Sequence, residues 1–446
     1  MARWLGSLAG AAVLTAAGSA HAARPTLANE ATFGVGEILV HYATSGTDAA
    51  PVVDIDANGT PDFVEEVATT ANAALTDLVA LGFARPRADG TLGGDGRIDV
   101  YLRNLVSADG NTSTDSCANN TCIGYAIVEN DYLGYSYPSI TEAIRSVVPH
   151  ELFHLIQYAY AMDQSATWTE GTAVWAVEHL HGEGNADFER FVPSFLAKTF
   201  RPFERPATGF GDAYPYGTAL WPAFLAQRGG AQLVREAWER CATTDFLTAI
   251  DEVMIARGSS LRAEWTTFTR WNGFTGPYAV AGGYPFAAAL PAAPREPALT
   301  DLDAEEVYVE GYAARYLPVT VTEDASLVLA PTGGITVAGF VVPLGAPLAE
   351  GRELTGDAVR QAVALAPGRY ALVVTGLSPM TITTAVHVSL EPATAEIDPG
   401  DGGCAVGGTR GALPVSVALL GLLVPRRRRR VPGGARSLSP EVGAHA

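Results

Sequence analysis

Two histidines four residues apart, with a glutamate directly after the first, stand in His150-Glu151-Leu152-Phe153-His154, and Glu170 follows in Trp168-Thr169-Glu170-Gly171. On a helix, residues four apart lie about 40° apart around the axis and roughly 6 Å apart along it, so both imidazoles converge on one ion. Glu151 then points beside that ion. Two imidazoles, one carboxylate and an open water position are the composition of a hydrolytic zinc site, with Glu170 the natural third protein ligand. The flanking Val148, Leu152, Phe153, Leu155 and Ile156 are apolar, which fits a buried helix with one polar face turned to a cleft. Burying His, Glu and His together without a metal would leave several polar groups to satisfy. The metzincin continuation is excluded, because it needs Gly at 157 and His at 160 where the chain has Gln157 and Tyr160. With a second helix from about Trp168 to Leu180, Glu178 and His181 lie about 12 and 16 Å beyond Glu170 and cannot share its ion. They read as polar residues at or after a helix end. Asp163 is too close to the end of the first helix to serve.

The pairing of HELFH with WTEGTAVW, whose glutamate comes sixteen residues after the second histidine, resembles the gluzincin metallopeptidases. The stretch from about Asp54 to Trp221 is similar to a family of secreted metalloproteases of myxobacteria. The resemblance implies a zinc-dependent peptidase with His150, His154 and Glu170 as ligands and Glu151 as general base. Two residues depart from the pattern. Pro149 precedes His150 directly, where it is expected to start or kink the helix. Val174 stands where the thermolysin type has an acidic residue, so support for the histidines has to come from elsewhere.

The ends of the chain read as targeting signals. Residues 1–22 combine Arg3, an apolar run and Ala20-His21-Ala22, the pattern of a secretory leader. Near the other end, a Pro/Gly/Asp linker over 393–403 leads to Cys404, an apolar run from Leu413 to Val424 and five arginines from Arg426 to Arg430. The apolar run is short for a stable span and the arginines mark a cytoplasmic side, which suits a transient anchor read by a sorting enzyme. The arrangement over 404–430 resembles the MYXO-CTERM sorting signal, which implies processing at Cys404 and a secreted or cell-surface protein. Residues 431–446 continue past the point where such tails stop.

The chain carries a formal net charge of −19. Setting aside one arginine in the leader, and seven arginines and one glutamate from Cys404 onward, leaves 47 acidic and 21 basic residues. That balance argues against nucleic acid as a partner and favours divalent cations. One cation site is legible. Asp54-x-Asp56-x-Asn58-Gly59-Thr60-x-Asp62-x-x-Glu65 follows the twelve-residue calcium loop, with Thr60 at the position that ligates through its backbone. No helix precedes it, so the expectation is a strand-to-helix calcium clip. Cys117 and Cys122 flank a short polar loop and read as a local disulfide in an exported protein. Cys241 reads as a buried thiol.

Ala31 to Tyr42 alternates as a strand, Val64 to Leu81 as an amphipathic helix, and Arg97 to Leu102 and Ile123 to Glu129 as strands. The resemblance implies a strand at the upper edge of the cleft that a peptide can join. Ile123 to Ile127 fits either that edge or an interior strand. Helices are expected over Asp187 to Phe200, Gly217 to Gln227, Ala231 to Cys241, Asp245 to Ala256 and Leu261 to Trp271. Tyr216, opening one of them, would suit either packing or stabilisation of an oxyanion across the cleft. Short β-rich runs between Gly and Pro turns follow from Pro297 to Pro392, with His387 their one histidine and no catalytic cluster.

The expected architecture is α+β. A zincin-like domain has its upper part over 23–182 and a helical lower half over 183–290, followed by a small all-β sandwich over 297–392 for attachment or docking. The expected function is hydrolysis of peptide bonds in a peptide or protein substrate, with Zn2+ at the site, Ca2+ in the loop, and the chain monomeric. Membrane contact is expected only in passing, through the tail. A calcium-stabilised surface adhesin with a structural or vestigial zinc site is the alternative, separated from the first by activity under chelation.

Overall fold

Gly36, at φ +55°, breaks the run expected as one strand into a hairpin of β1 (Glu30–Val35) and β2 (Ile38–Ala43). Only a residue without a side chain takes that conformation readily, and a Cβ there would fall 2.1 Å from Asn72 Oδ1. The computed structural model describes residues 23–393 other than 107, 183–185, 210, 301–302 and 379–381. The leader over 1–22, Cys404, the arginine tail and residues 431–446 lie outside the described residues.

After β2 comes helix α1 (Asp62–Ala80), which buries Val64, Val67, Ala68, Ala71, Leu75 and Leu78 as its periodicity predicts. Strands β3 (Ile98–Arg103), β4 (Gly110–Ala118) and β5 (Thr121–Glu129) complete a five-stranded sheet in the order β1-β2-β3-β5-β4. Strand β5 pairs parallel with β3 and antiparallel with β4, so Ile123 to Ile127 lies in the interior and β4 is the edge. The sequence of β4, GNTSTDSCA, is almost wholly small and polar, so no apolar alternation announces it. Its hairpin with β5 turns at Asn119 and Asn120, at φ +52° and +62°, as the asparagine preference of two-residue hairpin turns requires. Just outside the turn, Cys117 faces Cys122 and the two form the expected disulfide.

Helix α2 (Ile140–Tyr158) starts at Ser139, whose side chain accepts from Glu142 N at 3.1 Å, and runs through Pro149. Proline does not begin this helix; it sits in the interior, where it leaves the carbonyl of Arg145 without its usual donor. The His181 ring lies near the Arg145 backbone. His181 closes helix α3 (Ala166–His181), so the end of α3 meets α2 one turn before Pro149.

Among the described residues six further α-helices follow: α4 (Ala186–Leu196), α5 (Tyr214–Gly217), α6 (Leu220–Gly229), α7 (Gln232–Cys241), α8 (Phe246–Ala256) and α9 (Leu261–Gly273). The helix expected to Phe200 ends at Leu196, and the one expected from Gly217 is divided at Thr218, whose hydroxyl donates to Thr167 O of α3 at 2.6 Å. Trp168, Trp221, Trp238, Trp265 and Phe268 are fully buried in one core shared with α1 and the sheet. Cys241 is a free buried thiol, pushed up to about 12 by that burial.

The rest of the body is β: β6 (Leu299–Thr300), β7 (Ala304–Val309), β8 (Ala314–Val321), β9 (Ala325–Pro331), β10 (Val337–Pro343), β11 (Arg352–Glu353), β12 (Thr355–Gly356), β13 (Gln361–Leu365), β14 (Gly368–Gly376) and β15 (Thr384–Pro392). They form two five-stranded sheets, β11-β10-β14-β8-β6 and β12-β13-β9-β15-β7, which enclose one apolar core between them. The described residues are thus α+β with three sheets. The β part is not a separate bead. Tyr316 and Phe340 pack with Phe274 and Trp271, and the Tyr316 hydroxyl donates to Thr269 O at 3.0 Å. Among the described residues no helix is long and apolar enough to cross a membrane.

The N-terminal segment is pinned by charge. Arg24 bonds Asp89, Asp99 and Asp115, the last at 2.8 and 3.0 Å, while His41 lies between Glu30 at 2.7 Å and Asp99 at 2.8 Å. Burial opposes the charge on Arg24 and on His41, and the surrounding carboxylates outweigh it in both.

Candidate metal centre

His150 and His154 occupy one face of α2, and α3 brings Glu170 opposite them. His150 Nε2 and His154 Nε2 are 3.1 Å apart, and Glu170 Oε2 lies 3.3 Å from the first and 3.5 Å from the second. In a tetrahedral zinc site with bonds of about 2.0–2.1 Å the ligand atoms stand about 3.3 Å from one another. The three donors therefore fit zinc in both chemistry and spacing.

Electrostatics point the same way. Glu170 is held far below the usual carboxylate range: burial opposes its charge, but His154 and His150 beside it prevail. His154 is pushed up to about 9, burial working against the imidazolium and the Glu170 carboxylate prevailing. Three donor atoms that face one point demand positive charge there, and a cation satisfies that demand as a proton does.

Glu151 is buried beside the triad. Burial pushes its carboxyl up, while His154, His150 and Thr112 pull it back. The Thr112 hydroxyl, on β4, lies 2.7 Å from Glu151 Oε2 and 2.9 Å from the Glu151 carbonyl oxygen. This contact is possible because β4 begins with Gly110, where a Cβ would fall 2.6 Å from Val147 and 2.8 Å from Glu151. On the far side, Gly171 performs the same service for α3: a Cβ would fall 2.5 Å from Thr218 Oγ1.

Tyr216, on α5, stacks on His150 with ring centroids 5.8 Å apart and an interplanar angle of 19°. Its phenol is pushed up, by burial first and then by Glu170 and Glu151. Two cavities meet at the triad, sharing Gly110, His150, Glu151, Glu170 and Tyr216. One, of about 350 Å3, runs along Asn111, Thr112 and Tyr158. The other, of about 580 Å3, runs toward Tyr137, Asp187 and Arg190. The donors thus lie where two cavities adjoin, with Gly110 of the edge strand β4 lining both.

Three contributors went unrecognised in the sequence. Thr112 belongs to the strand that polar composition concealed. Asp187, at the start of α4, is pushed up to about 6 by burial, with His150 opposing. Gln157 accepts from His154 Nδ1 at 2.8 Å, the support that Val174 does not provide. Its position three residues after His154, on the same helix face, was the available signal.

The loop expected to bind calcium forms as a compact turn. Asp54, Asp56 and Asp62 gather carboxylate oxygens within 4.8 Å of one another. Asn58 N donates to Asp54 and Asp56, both at 3.1 Å, and Gly59 N donates to Asp54 at 2.9 Å. The Asn58 side-chain amide donates to Asp56 Oδ2 at 3.0 Å and Glu65 Oε1 at 2.7 Å, while its oxygen accepts from Thr60 N at 2.8 Å. The amide thus sits between carboxylates where a cation would serve them better.

No family model matches the chain, and no curated protein does. Among solved structures it is similar to the pre-peptidase C-terminal domain of a collagenase from Bacillus anthracis, at 11% identity over 22% of this chain and 97% of that one, with a TM-score of 0.20. It is also similar to PliG, a periplasmic inhibitor of g-type lysozyme. The Aeromonas hydrophila protein matches at 13% identity over 22% of this chain and 98% of that one, TM-score 0.18. The Salmonella Typhimurium protein matches at 11% identity over 22% and 100%, TM-score 0.17. Likenesses this partial bear on neither the cleft nor its residues.

Proposed function

We propose that the chain is an exported zinc metallopeptidase of zincin-like architecture, the helices after α3 forming the lower half of its cleft. The observation that carries this reading is the triangle of His150 Nε2, His154 Nε2 and Glu170 Oε2, spaced as three corners of a zinc tetrahedron with the buried Glu151 beside it. Zinc held there supplies Lewis acidity and a water acidic enough to lose its proton near neutral pH. Glu151 takes that proton, its carboxylate aimed by the Thr112 hydroxyl. Strand β4 offers an unpaired edge along the cleft, on which an extended peptide can lie as an added strand. Tyr216, stacked on His150 and lining the cleft, would donate to the oxygen of a carbonyl under attack.

The test is metal analysis of the purified body combined with digestion of a mixed peptide library. One zinc per chain and cleavage abolished by a chelator, then restored by zinc, are expected. Zinc uptake without any cleavage would sink the peptidase and leave the surface-adhesin reading.

Calcium belongs to the same proposal as a structural ion. Around an empty loop Asp54, Asp56, Asp62 and Glu65 repel one another, and a hard cation removes that cost. With a dissociation constant on the order of 10⁻⁴ to 10⁻³ M, as in extracellular modules, a ten-fold excess of calcium adds about 1.4 kcal/mol. A thermal melt with zinc constant and calcium titrated should therefore rise in the wild type and stay flat in Asp56→Ala. A wild-type melt indifferent to calcium would reduce the loop to a turn.

A further inference from the structure

Gln157 is buried, and the hydrogen bonds around it leave its amide one orientation. Its Nε2 lies 2.8 Å from the carbonyl oxygen of Thr169 and 3.1 Å from Thr172 Oγ1. The carbonyl can only accept. The Thr172 hydroxyl proton is spent on Trp168 O at 2.6 Å, so Thr172 Oγ1 accepts, from Gln157 and from Trp238 Nε1 at 3.2 Å. Both neighbours on the α3 side therefore require the NH2 end of the amide, and Oε1 is left for His154. An oxygen at 2.8 Å from His154 Nδ1 obliges that nitrogen to carry the proton. In the neutral ring, the form that binds a metal, the lone pair of His154 is then on Nε2, the atom that faces His150 and Glu170.

Resting on the metal reading above, we infer that Gln157 is the positioning residue of the centre: one amide that sets the tautomer of His154 and holds Glu170 in register. Its second function follows from its partners. Thr169 directly precedes Glu170, and Thr172 lies on the next turn of α3, so the same side chain that orients a ligand on α2 ties down the backbone beside the ligand on α3. A carboxylate in this place would accept from His154 but offer no proton to Thr169 or Thr172. A neutral amide does both. It also adds no charge, so the positive charge that the ion brings is offset by Glu170 and not further by the side chain behind His154.

The test compares Gln157→Leu with Gln157→Glu in the full exported body, measuring zinc affinity by competition with a chelator and melting of the metal-free protein. Leucine fills the volume and removes every hydrogen bond, so zinc should bind about 10- to 100-fold more weakly. Glutamate keeps the acceptor for His154 Nδ1 and should recover part of that loss. In the metal-free melt the order should reverse, because a buried carboxylate facing a carbonyl costs more than leucine. Two rankings that run in opposite directions distinguish positioning from packing. Leucine binding zinc within about twofold of wild type, or affinities that simply follow the melting order, would overturn the inference. A wild-type protein that takes up no zinc would overturn the metal reading itself, and this inference with it.

Discussion

Glu151→Gln is expected to keep its zinc and its melting temperature while peptide turnover falls by about 10²- to 10⁴-fold. Glutamine has the size of the residue it replaces, and its Oε1 can accept from the Thr112 hydroxyl that now lies 2.7 Å from the carboxylate. What it cannot do is take a proton. Because the carboxyl is buried and burial works against its charge, neutralising it should cost the fold little. The loss should fall on kcat more than on KM, since the residue acts in the proton transfer and not in holding the ground state. Steady-state kinetics on one cleaved peptide, with zinc measured on the same preparation, decide the matter. Turnover within about twofold of wild type would remove Glu151 from the chemistry.

The donor set was legible because it is local. His150, Glu151 and His154 are a helical spacing, and Glu170 was the carboxylate of the next helix able to reach them. The amphipathic α1 and the interior alternation of β5 were equally plain, since apolar period reports burial directly. The edge of the sheet was not legible. An edge strand facing a cleft has no second sheet face to fill with apolar residues, so β4 reads as a polar loop, and β5 is left open between edge and interior. Pro149, expected to start or kink the helix, does not start it but sits inside it. Proline inside a helix is costly mainly through the carbonyl it frees, and the ring that lies near that carbonyl, His181, belongs to another helix. Gln157 and Asp187 show the same limit: what holds a ligand in place is set by tertiary neighbours, and a short motif carries no record of them.

Arg24→Ala is expected to destabilise the body by about 3–5 kcal/mol, the range for removing one partner from a buried ionic group. The side chain of Asp99 is fully buried, and those of Asp89 and Asp115 are 5% and 10% exposed, so water cannot replace the guanidinium. Three carboxylates would then face one another without the cation that now forks between them. Arg24→Lys should fall between, because one ammonium cannot reach all three as a planar fork does. The pH dependence gives the mechanism its own signature. Burial already raises Asp89 above the usual carboxylate range while Arg24 holds it down, so in the alanine variant it rises further, and the penalty is absent below its unfolded value of about 3.9 and grows as pH rises through the raised folded value. His41 acts in the same direction. Burial opposes its charge and Asp99 and Glu30 outweigh that, raising it above its ordinary value, so its stabilisation is full below about 6.5 and fades as pH rises through the folded pKa. In the variant His41 still bonds Asp99, and losing its charge exposes the full repulsion. Urea unfolding at pH 4.5 and pH 8 should therefore show a gap between variant and wild type that widens with pH. A gap that is constant across this range would mean that Arg24 holds the N-terminal segment by packing on Tyr125, over whose ring it lies at 5.1 Å, and not by charge.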